Sequence, residues 1–180
     1  YIANHLSIID LLFLRIALGK QTRFVTGTNL EATPFSAAAA TFVKTIPTKD
    51  PAQAAQDIQD ALQAGQNVCV NIEKQNVPEG PILPWYQDYA QVAPENVPII
   101  PVHLDRLWGL LYTFQNNQPE FLQKRRLRFR FPVNIILAPP HQGPRGGVPV
   151  REAVREAGQR WWMQRPLRHP NLALTFIHAA

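Results

Sequence analysis

The sequence predicts an α/β fold, in which helices cover a largely parallel or mixed sheet. Short apolar runs typical of strands alternate with amphipathic stretches along the chain. The pair Asp50-Pro51 is typical of a helix start, because Asp caps a helix and Pro suits its first position. The chain contains neither an internal repeat nor a low-complexity tract. Strands separated by helices therefore predict layered helices and sheet.

Glycines mark the ends of the helices expected in the first half of the chain. We expect a mostly apolar helix over 8–18, closed by Gly19, and a second helix from Asp50 to Gly65. The Ala-rich segment 31–42 is expected to be largely helical. The strands predicted in this half are 23–26, 42–47 and 68–72.

In the second half, one segment has a clear strand periodicity. Residues 126–137 alternate between apolar and basic or polar side chains, and Pro132 within them favours an edge strand. An apolar core also predicts a strand over 98–104. A last helix is expected over 150–164, after a Gly-Gly-Val-Pro turn.

Composition limits the classes of protein that the chain can represent. Its 180 residues are enough for one domain with one core, and a hydrophobic content of 46% excludes a disordered chain. The net charge of +5 favours an anionic partner, whether a phosphate-bearing substrate, an anionic lipid surface or nucleic acid. Cys69 is the single cysteine, which excludes an intramolecular disulfide, and its valine neighbours predict a buried strand thiol.

The first ten residues, Tyr-Ile-Ala-Asn-His-Leu-Ser-Ile-Ile-Asp, contain the main candidate for chemistry. His5 follows a short apolar run, and Asp10 follows His5 after four intervening residues. A near-neutral imidazole can accept a proton from a hydroxyl, and a carboxylate can orient the ring and stabilise the imidazolium. The alternative is a helix-capping Asp beside an incidental His.

Four segments, taken in order, resemble the glycerolipid acyltransferase family, which includes lysophosphatidic acid acyltransferase and acylglycerophosphoethanolamine acyltransferase. The segments are 4–10, 42–47, 70–75 and 97–102, with His103 to Gly109 continuing as in some bacterial members. The resemblance covers nearly the whole chain. It implies a fold like that of glycerol-3-phosphate acyltransferase, a mixed, mainly parallel sheet flanked by helices.

The resemblance implies transfer of an acyl group from acyl-CoA or acyl-carrier protein to a hydroxyl of a lysophospholipid. His5 is then the catalytic base and Asp10 orients it, with no cofactor besides the donor substrate and no metal. The candidate substrate-binding residues are Glu73, Lys74, Lys44 and Arg23. For Lys44 and Arg23 the alternative is a solvated surface side chain.

The third segment departs from the family pattern. Lys74 stands where the family has Gly after Glu73, and the arginine expected a few residues later falls on 76–78, Asn-Val-Pro. The nearby Pro78-Glu79-Gly80 spells the usual motif but lies in a proline-flanked loop, so we assign Glu73. Either Lys74 supplies the missing charge, or the chain is a degenerate member that binds lipid or acyl chains without catalysis.

The expected location is the cytoplasmic face of a membrane. The basic cluster Lys124 to Arg130 can contact anionic lipid headgroups, although it can equally be a solvated face that protects a sheet edge. Of Trp161 and Trp162, one is expected to be exposed. We expect no nucleic-acid partner. The start at Tyr1 suggests that the sequence is truncated at its N-terminus, and residues 165–180 are expected to form a tail or linker. Related domains suggest that the full-length protein is fused to a transporter or acyl ligase.

Overall fold

A computed structural model describes residues 1–4, 10–26, 42–47, 50–71, 92–105, 112–115, 118–121, 133–164 and 174–178. The strands within these residues are β1 (Ile2–Ala3), β2 (Thr22–Thr26), β3 (Thr45–Pro47), β4 (Asn67–Asn71), β5 (Pro101–Asp105), β6 (Tyr112–Gln115), β7 (Gln118–Phe121), β8 (Val133–Leu137) and β9 (Leu174–His178). The helices described are α1 (Asp10–Leu18), α2 (Pro51–Gln63) and α3 (Gly147–Gln164).

Seven of the strands form one sheet in the order β3-β2-β4-β1-β5-β8-β9. The first five strands of this order are mutually parallel, β8 is antiparallel to β5, and β9 is parallel to β8. Strands β6 and β7 pair separately as an antiparallel ribbon. The predicted fold class, an α/β fold with a mixed, mainly parallel sheet, is confirmed.

The alternation of side chains along the strands supplies two apolar faces, and helices cover both. On one face, α1 packs through Leu11, Leu14 and Leu18 on a layer of strand residues, namely Ala3, Phe24, Cys69, Val102, Leu104, Val133 and Ile135. On the other face, α2 and α3 contribute Ile58, Ala61, Val150 and Val154, which pack on Ile2, Val25, Ile46, Val68 and Val70. The central strands are therefore buried on both sides, as parallel strands usually are.

Local signals set the helix ends as the sequence predicts. The Asp50 carboxylate accepts hydrogen bonds from the backbone N–H of Ala52 (2.9 Å) and of Gln53 (3.4 Å), and Pro51 is the first helical residue of α2. Gly65 follows α2 with φ +71°, and Gly19 follows α1 with φ +85°. These positive φ angles suit glycine, so both predicted helix stops are confirmed.

Two expectations for the second half need correction. The strand predicted over 126–137 is described only from Val133, and β8 lies between β5 and β9 instead of at an edge. Pro132 itself lies outside the described residues. In addition, Leu174–His178 pairs with β8 as an edge strand, although it falls within the segment 165–180 that was expected to be tail or linker.

Candidate active site

The carboxyl ends of the five parallel strands define one edge of the sheet, where ligands of open α/β folds usually bind. This carboxyl edge lies at the last residues of the strands, namely Ala3, Thr26, Pro47, Asn71 and Asp105. Strand β8 runs in the opposite direction, so its first residues, Val133 and Asn134, lie at the same edge, opposite Asp105. Buried polar side chains collect here: Asn4, Asp105 and Asn134 are each 7% exposed.

Strands β1 and β4 are central neighbours whose onward connections run in opposite directions. From β1 the chain passes through α1 to β2, beyond β4, whereas from β4 it passes to β5, on the far side of β1. Such a divergence opens a crevice at the carboxyl ends of the two strands. In the parallel register Ala3 lies beside Asn71, so the described ends of β1 and β4, which precede His5 and Glu73 in the sequence, are adjacent.

The Asn4 side chain links the end of β1 to β5 by two hydrogen bonds. Its carboxamide donates from Nδ2 to the Leu104 carbonyl (3.0 Å) and accepts at Oδ1 from the Leu104 N–H (2.6 Å). Both backbone polar groups of a buried residue are thereby satisfied by one side chain, as burial requires. The sequence indicates Asn4 only as a small polar residue after a strand, because its partner lies 100 positions away.

Asp10 is the first residue of α1 and is fully buried. Helix α1 connects two parallel strands, so it begins near the carboxyl edge and ends near the start of β2. A carboxylate in the first turn complements the partial positive charge of the helix N-terminus. A buried carboxylate at this edge suits a residue that orients His5, and it agrees equally with the helix-start alternative.

A second polar group lies on the α3 side of the same edge. Asn134 Nδ2 donates to the Asp105 carboxylate (3.0 Å). Two residue pairs further from the edge, the His103 ring lies against Gly158 of α3, where its Nδ1 is buried without a hydrogen-bond partner. Burial lowers the pKa of His103, and the nearby Asp105 charge opposes that shift only in part. His103 is therefore held as a neutral packing residue.

Two of the predicted substrate-binding residues lie away from the carboxyl edge. Lys44 is exposed in the turn that precedes β3, so it marks the amino end of that strand. Arg23 is the second residue of β2 and shares the sheet face of Val25, opposite the face that α1 covers. The structure thus brings neither residue together with Asp10, and their roles stay predictions.

Several candidates lie outside the described residues. These are His5, Glu73 and Lys74, together with the basic cluster Lys124 to Arg130. Trp161 and Trp162, in contrast, are described at the end of α3, and Trp162 is 47% exposed, which confirms that one of the two faces solvent.

Cys69 has no access to a substrate. It is 1% exposed within the core layer under α1, and burial raises the pKa of its thiol to about 12. A neutral, enclosed thiol is a poor nucleophile. The predicted buried strand thiol is confirmed, and Cys69 is excluded as the carrier of a covalent acyl intermediate.

The described part of the chain contains no group of three His, Cys, Asp or Glu residues that is placed to hold a metal ion. Among the described helices, none combines the length and apolar character needed to cross a bilayer.

Comparison with known proteins supports the α/β fold and identifies the family of the chain. A family model described as Acyltransferase matches residues 1–105, which is more than half of the chain. The chain belongs to this acyltransferase family, and the resemblance found in the sequence is confirmed. The matched region contains the motif from His5 to Asp10.

Among solved structures, the fold is similar to that of a 1-acyl-sn-glycerophosphate (LPA) acyltransferase, PlsC, from Thermotoga maritima. The TM-score is 0.62 at 20% sequence identity, over 93% of this chain and 67% of that chain. At this identity the similarity establishes the fold. A search of curated proteins gave no significant match.

Proposed function

We propose that the protein transfers an acyl group from acyl-CoA or acyl-carrier protein to a hydroxyl of a lysophospholipid or glycerophosphate acceptor. The observation that carries the proposal is the fully buried Asp10 at the start of α1, five positions after His5 and inside the region that matches the family. The catalytic pair would then stand at the carboxyl edge, where β1 and β4 diverge.

The proposed reaction needs one base. His5 takes the proton of the acceptor hydroxyl as its oxygen attacks the thioester carbonyl, and Asp10 orients the ring and stabilises the imidazolium. The tetrahedral intermediate then collapses, the C–S bond breaks, and the leaving sulfur takes the proton from His5. The enclosure of Cys69 supports this direct transfer, because the single thiol of the chain is unable to accept the acyl group.

For binding, we assign the acceptor to Glu73 and Lys74, which follow β4 in the sequence, with the cationic Lys74 contacting its phosphate. Lys44 and Arg23, which lie away from the carboxyl edge, stay sequence predictions. We place the reaction at the cytoplasmic face of an anionic membrane. Support for this comes from the end of α3, which reaches the carboxyl edge and carries Met163 (78% exposed) beside the exposed Trp162. Exposed aromatic and apolar residues near a site for lipid substrates suit a membrane interface.

A second function, binding of lipid or acyl chains without catalysis, is favoured by Lys74 in place of the family glycine and by the absence of the expected arginine at 76–78. In this case the protein would retain a lysolipid or acyl-CoA but transfer nothing. Restoring Gly at Lys74 together with Arg at Val77 would then be expected to recover transfer.

The test is acyl transfer from labelled acyl-CoA and acyl-carrier protein to a panel of lysophospholipids, with wild type and His5→Ala side by side. We expect product from at least one acceptor with the wild type and none with the variant. Arg155→Ala, a change on the exposed face of α3, is the control that should keep the wild-type rate. A folded wild type that binds donor or lysolipid but forms no product would favour the non-catalytic function.

A further inference from the structure

We propose that Asn4 is a positioning residue, whose carboxamide fixes the point at which the chain leaves the sheet and thereby the position of His5. The inference rests on the proposed function, in which His5 is the catalytic base. The observation behind it is the pair of hydrogen bonds between the Asn4 side chain and the backbone of Leu104, at 3.0 and 2.6 Å.

The register of the sheet shows what these bonds replace. Ile2 N–H donates to the Ile100 carbonyl at 3.0 Å, and Ile2 lies beside Pro101 in the parallel ladder. Two residues further along, a continuing ladder would give the Leu104 N–H to the main-chain carbonyl of residue 4. In the structure, Oδ1 of Asn4 accepts that N–H instead. The side chain thus ends the ladder, so the main chain is free to turn away one residue before His5.

Only a carboxamide side chain can take the place of the main chain in this ladder. Asn supplies a donor and an acceptor on a short stem, which matches the N–H and C=O that one residue of a ladder presents. An aspartate lacks the donor for the Leu104 carbonyl, and an alanine leaves both buried backbone groups of Leu104 without these partners. Because Asn4 is only 7% exposed, water is a poor substitute there.

Without this constraint, the base would lose its fixed approach to the acceptor hydroxyl. We expect Asn4→Ala to lower kcat at least about 10-fold, because small misplacements of a catalytic group are costly, while the KM for the acceptor changes little. We also expect the kcat/KM pH profile of Asn4→Ala to differ from that of the wild type, since His5 loses its alignment with Asp10.

A matched control separates positioning from general loss of stability. Thr22 is fully buried at the amino end of β2, and its hydroxyl donates to the Leu18 carbonyl at 2.9 Å. Thr22→Val removes a comparable side-chain-to-backbone bond at the opposite edge of the sheet. We expect it to lower the melting temperature, as Asn4→Ala does, but to keep both the wild-type kcat and the wild-type pH profile.

The experiment combines these kinetics with an NMR titration of His5 in protein labelled at histidine, with His5→Gln used to assign the signal. Equal kcat and an equal His5 titration in Asn4→Ala and wild type would overturn the inference. If the folded wild type transfers no acyl group, only the proposed function is contradicted. The His5 titration would then still test whether Asn4 positions His5. A change of the His5 titration curve in Asn4→Ala but not in Thr22→Val supports the positioning role. An unchanged curve in Asn4→Ala, or the same change in both variants, overturns it.

Discussion

The buried polar side chains of this protein serve two purposes. Asn4 and Asp10 stand at either end of the motif that contains His5, and both are buried near the carboxyl edge. Arg15, in contrast, is buried near the end of α1, where it donates to the carbonyls of Gly19 (2.9 Å) and Thr22 (3.3 Å). In the proposed function Asn4 and Asp10 support the chemistry, whereas Arg15 satisfies carbonyl groups near a helix end.

Lys44 is held in an unfavourable backbone conformation, with φ +55°. Left-handed conformations cost an ordinary residue more than glycine. We therefore expect Lys44→Gly to raise the free energy of unfolding by about 0.5–1 kcal/mol in chemical denaturation. Lys44→Ala is the control, because it removes the same side chain and keeps the backbone cost. A Lys44→Gly protein no more stable than Lys44→Ala would contradict this explanation.

Individual residues differ in how far the sequence predicts their roles. Asp50 and Gly65 could be predicted, because a cap and a helix stop act on backbone groups within a few positions. The hydrogen bonds between Asn4 and Leu104 could not be predicted, because no local pattern specifies a partner 100 residues away. The motif itself was found by its spacing, and the burial of Asp10 agrees with its proposed role.

At the level of elements, the contact between α3 and β5 depends on Gly158. A β-carbon at this position would lie 2.5 Å from Cε1 and 2.6 Å from Nε2 of His103, closer than packed atoms approach. The glycine therefore lets the helix lie against the ring, at a cost in helix propensity of about 1 kcal/mol.

Gly158→Ala should consequently destabilise the protein, although alanine is the better helix former. We expect a loss of about 1–3 kcal/mol in the free energy of unfolding, as for other overpacked cores. Gln159→Ala, on the exposed face of the same helix, should stay within about 0.5 kcal/mol of wild type. If His103→Ala does not reduce the effect of Gly158→Ala in a double-mutant cycle, the assigned contact is wrong.

At the scale of the whole molecule, Arg145 joins two segments that are distant in the chain. Its guanidinium, in the loop between β8 and α3, donates to the carbonyls of Ala93, Pro94, Glu95 and Val97 at 2.6–3.3 Å. The segment 93–97 leads into β5, so this clamp secures the amino side of the sheet, opposite the candidate active site.

Arg145→Lys should lower the free energy of unfolding by about 2–3 kcal/mol, because an ammonium keeps the charge but not the planar fork that reaches these carbonyls. Arg155→Lys is the matched control, since Arg155 forms only an exposed pair with Glu152 at 3.3 Å, and it should change stability by at most about 0.5 kcal/mol. Equal stabilities of the two variants would show that the clamp contributes nothing measurable.

The fold class was predictable, because strand and helix periods alternate along the chain and the family segments occur in order. The position of β9 in the sheet was not predictable, because Leu174–His178 follows a segment with two prolines and pairs with β8, from which α3 separates it in the sequence. The interior position of β8 was missed for a related reason. Pairing partners across a sheet are set by tertiary contacts, and Pro132 gave a misleading local signal.

The catalytic pair of His5 and Asp10 is best tested by the kcat/KM of purified Asp10→Asn, measured together with its thermal unfolding. The variant keeps the size of the side chain and removes the charge that would orient His5 and stabilise its protonated form. We expect acyl transfer to fall at least about 100-fold while the protein remains folded. A folded Asp10→Asn with the wild-type rate would contradict a catalytic pair of His5 and Asp10 and leave Asp10 as a helix-start residue.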